Sequence, residues 1–255
     1  MKSFWTKAAL AVAAMLCMGS VHASITTTID FEHVDTTGAL APPAMLDGDT
    51  MAQAGYTFYA YDPHNPLLGV APDFAPVGAL MSNAAGNCLD GVCPAGNTST
   101  FFGVVNDGIF GIGKNKLGLT LNSFDAAFLA PAGLQLPSTT VAFLAVEADR
   151  ADGSFGVGIF PLLGPSGGTT SFSSYLAANA QMIDGTGTLT SGVVTDIFAY
   201  AYYCNAGSCS FGTSNRGQFA LDNMSITAVP EPSSWLLLAA GLGALGVASR
   251  RRRSI

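Results

Sequence analysis

The 255-residue sequence predicts an all-β fold: a single jelly-roll-like β-sandwich over residues 24–229, an N-terminal signal peptide over 1–23, and one short C-terminal transmembrane helix. Three observations predict it. Short β-branched and aromatic runs with period-two alternation recur through the central segment. Clusters of Gly, Pro, Asp and Asn separate them at turn spacing. No window of about twelve or more residues in that segment reads as a capped amphipathic helix; the best candidate, 175–182, is short. Many short strands divided by turns are the pattern of a sandwich.

The elements follow in chain order. Residues 24–34 are β-branched, with Ile29, Phe31 and Val34 marking an inward face, and make a first strand. Residues 36–53 are rich in Pro, Gly and Asp and read as a long loop. The aromatic alternation of 55–61 is a second strand, and 62–79, with four prolines, is loop again. A first cysteine loop at 83–99 leads to a strand at 100–105, closed by Asn106-Asp107-Gly108. Two short strands, 117–121 and 123–129, flank a turn at Asn122. Residues 139–147 and 154–160 form a hairpin around an Asp152-Gly153 corner. A strand at 169–176, a strongly β segment at 193–203, a second cysteine loop and a last strand at 217–229 complete the domain.

Length and charge bound the function. The central segment has 206 residues, enough for one real core. Its sixteen carboxylates face four basic side chains (Lys114, Lys116, Arg150, Arg216), a net charge of −12 against −7 for the whole chain. The other six basic residues sit at the two ends. So acidic a surface excludes nucleic acid and anionic membrane as partners and favours cations.

The N-terminal end reads as an export signal. Lys2 and Lys7 precede an apolar core at 8–18, and Val21-His22-Ala23 is a small-x-small cleavage site. Four cysteines remain after it, in two pairs of equal spacing: Cys88 with Cys93 and Cys204 with Cys209. In an exported chain these read as disulfides, and local closure within each pair is sterically easy across Gly-containing turns. A four-thiolate zinc site is the alternative.

Nucleophilic catalysis finds little support. Only His33 and His64 survive processing, no Gly-x-Ser-x-Gly elbow is present, and residues 111–114 are too short for a phosphate loop. Asp47 with Asp49, and Glu147 with Asp149 and Asp152, are weaker cation candidates, since Asp and Gly also build turns. Tyr56, Phe58, Tyr59 and Tyr61 alternate along one strand, so one face is core and the other could meet a sugar; Tyr200, Tyr202 and Tyr203 pose the same question.

The last 26 residues carry three pieces in fixed order: Pro230-Glu231-Pro232, an apolar helical run at 235–248, and Arg250, Arg251, Arg252 and Arg253. The run would be ~21 Å long as a helix against a ~30 Å hydrocarbon core, with the arginines kept cytoplasmic. This tail resembles the PEP-CTERM sorting signal of exported Gram-negative proteins. The resemblance implies recognition and cleavage by an exosortase-type membrane protease, transient membrane contact through the helix, and delivery to the cell surface or extracellular matrix. Upstream, Gln218, Phe219 and Asp222 resemble the Gln-Phe-x-x-Asp signature of one subgroup of these proteins.

A looser resemblance is to jelly-roll carbohydrate-binding modules, where carboxylates on the first and last strands hold a structural calcium. Asp30, Glu32 and Asp222 are the matching candidates, calcium wanting six to eight hard oxygens. The expectation is an exported, non-enzymatic surface or matrix protein that binds exopolysaccharide, another glycan or calcium. The alternative is a secreted glycan-acting hydrolase using a carboxylate pair.

Overall fold

A computed structural model of the protein describes residues 24–63, 75–83, 88–89, 91–114, 118–205, 207–212 and 216–229. The expected signal peptide, the tail at 230–255 with its helix and arginines, and His64 lie outside the described residues. One compact unit runs from Thr26 to Val229.

The strands are β1 (Ile25–Ile29), β2 (Ala44–Met45), β3 (Thr50–Gln53), β4 (Tyr56–Tyr61), β5 (Gly78–Ser82) and β6 (Gly91–Val92). They continue as β7 (Thr100–Val104), β8 (Ile109–Gly113), β9 (Gly118–Phe128), β10 (Ala130–Pro131), β11 (Thr140–Arg150) and β12 (Phe155–Leu163). The rest are β13 (Ser173–Leu176), β14 (Gln181–Gly185), β15 (Val194–Asn205), β16 (Ser208–Ser210) and β17 (Phe219–Val229). The main path is β14-β12-β11-β15-β9-β17-β7-β5-β2, with β8 branching from β15, β4 from β8 and β3 from β4. Between β15 and β9 the registered pairing is one rung, Val194 with Leu119. The strands thus belong to one large sheet of sandwich-like form.

Aromatic rings fill the space between the layers. Phe102 of β7 meets Phe110 of β8 at 5.1 Å between centroids, Phe124 of β9 meets Phe160 of β12 at 5.0 Å, and Phe128 of β9 lies 6.3 Å from Tyr203 of β15. Phe31, Phe58, Phe102 and Phe110 are each at most 1 % exposed, so this cluster is dry. Each such side chain contributes about 1.5–3 kcal/mol relative to exposure. The inward residues alternate with outward ones along β4, β11 and β15, which is why sequence periodicity located these strands.

Several local expectations are corrected. β1 stops at Ile29, because Phe31 takes φ 57° and turns the chain while still entering the core. The segment 36–53 is not one loop but contains β2 and β3. Asn122 makes no turn: β9 is a single eleven-residue strand, and the Asn122 side chain donates to Thr227 Oγ1 at 2.9 Å. The long ladder with β17 outweighs one residue's turn tendency. The helix candidate at 175–182 is a single 3-10 turn, Ala177–Asn179, followed by β14. β8, rich in glycine, gave no strand signal at all.

Both cysteine pairs are disulfides, Cys88–Cys93 and Cys204–Cys209, which removes the zinc alternative. The second closes the β15–β16 hairpin, where Cys204 and Cys209 are register partners.

Candidate functional site

The outward face of the layer built from β4, β8, β15, β11, β12 and β14 gathers the chemistry. Antiparallel register runs one row across it: Tyr59, Gly111, Phe198, Glu147, Val157, Asp184. A second row beside it reads Thr57, Gly113, Asp196, Asp149, Phe155. Period-two alternation puts Tyr200 and Tyr202 on the same face as Phe198.

The rings touch in two groups. Tyr59 lies 5.3 Å from Tyr61 and 5.9 Å from Phe198 between centroids. Tyr200 lies 5.7 Å from Tyr202, and Phe211, just beyond the disulfide-closed hairpin, packs 4.9 Å from Tyr200 and 5.9 Å from Tyr202. Tyr59 rests flat on the sheet because Gly111 beneath it has no side chain: a Cβ there would fall 1.9 Å from a ring carbon. Tyr61 is 41 % exposed and the other rings are half-buried, so their faces reach solvent.

Carboxylates are set among the rings. The Tyr59 hydroxyl donates to Asp196 Oδ1 at 2.8 Å, and the Tyr200 hydroxyl reaches Glu147 Oε2 at 3.4 Å. Burial, then the neighbouring Asp196, pushes the Tyr59 phenol far up, so it stays a donor. Tyr200 is raised by burial, then by Tyr202 and Glu147. Burial followed by the nearby Asp149 raises the Glu147 carboxyl. Asp149 and Asp196 are direct register partners on adjacent strands. At the β14 end, a cleft of about 620 Å³ is lined in part by Asp184, Thr186, Thr188 and Ser191. Arg150 pins its rim, donating through Nε to the Ser191 carbonyl at 2.7 Å and through Nη2 to that of Thr188.

The alternating aromatics therefore divide cleanly. Tyr56, Phe58 and Tyr203 are core; Tyr59, Tyr61, Tyr200 and Tyr202 face outward. Phe198, Phe211 and Asp196 belong to the face although the sequence reading passed over them. Phe198 and Asp196 had a signal, the alternation of 196, 198, 200 and 202; Phe211 had none, since a hairpin return places it.

The calcium candidates do not form a ligand shell. Asp30 Oδ1 accepts from Gln53 Nε2 at 2.6 Å and from the Glu32 amide at 3.1 Å; the Gln53 bond dominates in holding its carboxyl below the ordinary value. Glu32 accepts from the Thr100 amide at 2.7 Å and its hydroxyl at 3.2 Å. Asp222, fully buried, accepts from Asn97 Nδ2 at 2.7 Å, Ser99 Oγ at 2.9 Å and the Asn223 amide at 2.7 Å. Protein donors take Asp30 Oδ1 and both oxygens of Glu32 and of Asp222, and among the described residues no three His, Cys, Asp or Glu side chains group to hold a metal. Asp222 instead ties β17 to the segment after the first disulfide; burial raises its carboxyl against the lowering effect of those bonds.

The remaining candidates are turn chemistry. Asp49 caps the amides of Leu40 and Leu46, Asp47 that of Asp62, and Asp152 that of Ser154. His33 is exposed. Residues 111–114, considered as a phosphate loop, belong mostly to β8. Gln218 and Phe219 of the proposed signature are buried, Phe219 between Val104 and Phe128.

No curated protein matches the chain. Among solved structures, the agarase AgWH50C overlaps 67 % of this chain and 25 % of its own, at 9 % identity and a TM-score of 0.33. The family 11 carbohydrate-binding module of the Clostridium thermocellum cellulase Lic26A-Cel5E covers 75 % of this chain and 96 % of its own, at 12 % identity and 0.29. The enzymatically active domain of bacteriophage CBA120 tailspike protein 4 covers 69 % and 20 %, at 11 % identity and 0.29. This chain thus spans about a quarter of the agarase, and TM-scores this low mean only partial superposition of strands. Residues 228–253 match the family described as the PEP-CTERM protein-sorting motif, beginning at Ala228 near the end of β17. The match is confined to this C-terminal stretch of 26 residues, and it supports export of the chain and sorting by an exosortase-type system.

Proposed function

We propose that this exported protein is a non-enzymatic surface or matrix component that holds glycan on the outward face of β4, β8, β15 and β11. The observation that carries the reading is the open row of rings, Tyr59, Tyr61, Phe198, Tyr200 and Tyr202, interleaved with carboxylates. A sugar presents apolar C–H faces to stack on rings and hydroxyls to donate to carboxylates, so an aromatic surface with a few fixed polar groups suits it. The acidic domain disfavours uronate or sulfated chains. The test is a glycan array with the exported protein: binding weakened about tenfold or more by Tyr59→Ala and Tyr200→Ala supports the proposal, and unchanged binding sinks it.

Processing by an exosortase-type protease belongs to the same proposal. The motif supports a membrane-anchored intermediate. Replacing Pro230, Glu231 and Pro232 with alanine is expected to leave an uncleaved inner-membrane form, followed by fractionation and blotting; normal release of that variant would overturn the reading.

One feature favours a second reading, glycan hydrolysis. Glu147 has a raised carboxyl beside Asp149, as a general acid requires. Release of reducing sugar that disappears in Glu147→Gln would establish it in place of the binding role.

A further inference from the structure

We infer that the glycan held on this face carries free amino groups, as a partly de-N-acetylated amino-sugar polymer does. The inference rests on the glycan-binding reading and adds a charge to its ligand.

Asp149 and Asp196 face each other across adjacent strands, and Glu147 lies two residues before Asp149 on β11, on the same outward face. Like charges directly opposite on neighbouring strands destabilise a sheet. Among the described residues, none of the domain's cations is placed to neutralise them. Arg150 is buried against the carbonyls of Thr188 and Ser191. Arg216 lies over the Tyr203 ring at 5.6 Å and Lys114 over the Tyr56 ring at 4.4 Å, both of them core rings. Among the described residues the face therefore holds carboxylates and rings with no basic side chain between them.

A bound cation would relieve that repulsion, and the donor set selects its type. Calcium wants six to eight oxygens, whereas no metal-holding group of three acidic, His or Cys side chains exists among the described residues. An ammonium has three N–H donors and is satisfied by two or three acceptors. It is also attracted to the faces of tyrosine rings, and Tyr59 is hydrogen-bonded to Asp196 itself. A sugar ring stacked on Tyr59 or Phe198 brings a substituent amine to Asp196 and Asp149 on the next row. Neutral sugars gain the stacking and hydroxyl donation without the charge attraction, and acidic sugars meet repulsion.

The experiment uses the exported protein and titrates four hexasaccharides at one pH and low salt: de-N-acetylated chito-oligosaccharide, its fully N-acetylated form, a neutral β-glucan and a polyuronate. The amine form is expected to bind at least fivefold more tightly than the acetylated form. That preference should shrink on adding salt, and Asp149→Asn with Asp196→Asn should abolish it. Equal binding of the amine and acetylated forms overturns this inference while leaving the glycan reading in place. Binding to none of the four overturns both. Calcium alone raising the melting temperature and displacing the amine form would reassign the carboxylates to a metal and also overturn it.

Discussion

Gly111→Ala tests whether Tyr59 lies on the sheet as described. The new methyl would sit 1.9 Å and 2.3 Å from two ring carbons of Tyr59, so the ring must leave. Its exit breaks the hydroxyl bond to Asp196 and the contacts with Tyr61 and Phe198. At a half-buried site we take about 1 kcal/mol for the bond and about 0.5 kcal/mol for each ring pair. Replacing a strand glycine by alanine returns about 0.5–1 kcal/mol. The net loss is about 1–1.5 kcal/mol, or a fall of roughly 3–5 °C in melting temperature for a domain of this size. In a Tyr59→Ala background the methyl has room, and the same substitution should instead raise the melting temperature. A thermal-melt cycle over the four proteins reads this sign reversal. A Gly111→Ala protein more stable than the parent would refute the placement of Tyr59 and with it the platform.

Three further outcomes follow from the geometry. Asp222→Ala strands the Asn97, Ser99 and Asn223 donors and should cost about 2–4 kcal/mol, read as a lower denaturant midpoint. Burial raises the Glu147 and Asp222 carboxyls above their ordinary values of 4.5 and 3.8, so between those values and the raised ones the folded state holds more protons than the unfolded one. Their contribution to stability is therefore fully present below those ordinary values and is lost as pH rises through the raised ones; melting curves taken upward from about pH 3 should show it, and Glu147→Gln should flatten the slope. Converting Cys204 and Cys209 to serine should cost about 2 kcal/mol, the value for so short a loop. It should also weaken glycan binding by freeing Phe211, and reductant should reproduce both effects in the parent.

The limits of sequence reading are clearest at β8 and β9. Glycine has poor strand propensity, so residues 109–113 gave no strand signal. In the fold, Gly111 is in a strand because a tyrosine from β4 needs the space above it. Asn122 has turn chemistry, yet it sits mid-strand because pairing along β17 fixes its backbone. Both are cases where a partner distant in sequence overrules a local preference. The carboxylates show the same division. Asp222 and Glu32 were legible as acidic residues on the last and first strands, but whether their oxygens were available depended on Asn97, Ser99 and Thr100, which the sequence does not place beside them.

By itself the sequence determined the all-β class, most long strands, the acidic charge, the two disulfides and the sorting tail, because alternation, composition and short spacings are local properties of the chain. Only the tertiary structure decided which tyrosines are core and which form the outer face. It also brought Asp149 against Asp196 and returned Phe211 onto Tyr200. Those facts depend on strand register and layer packing, in which side chains tens of residues apart are matched by burial of a common core.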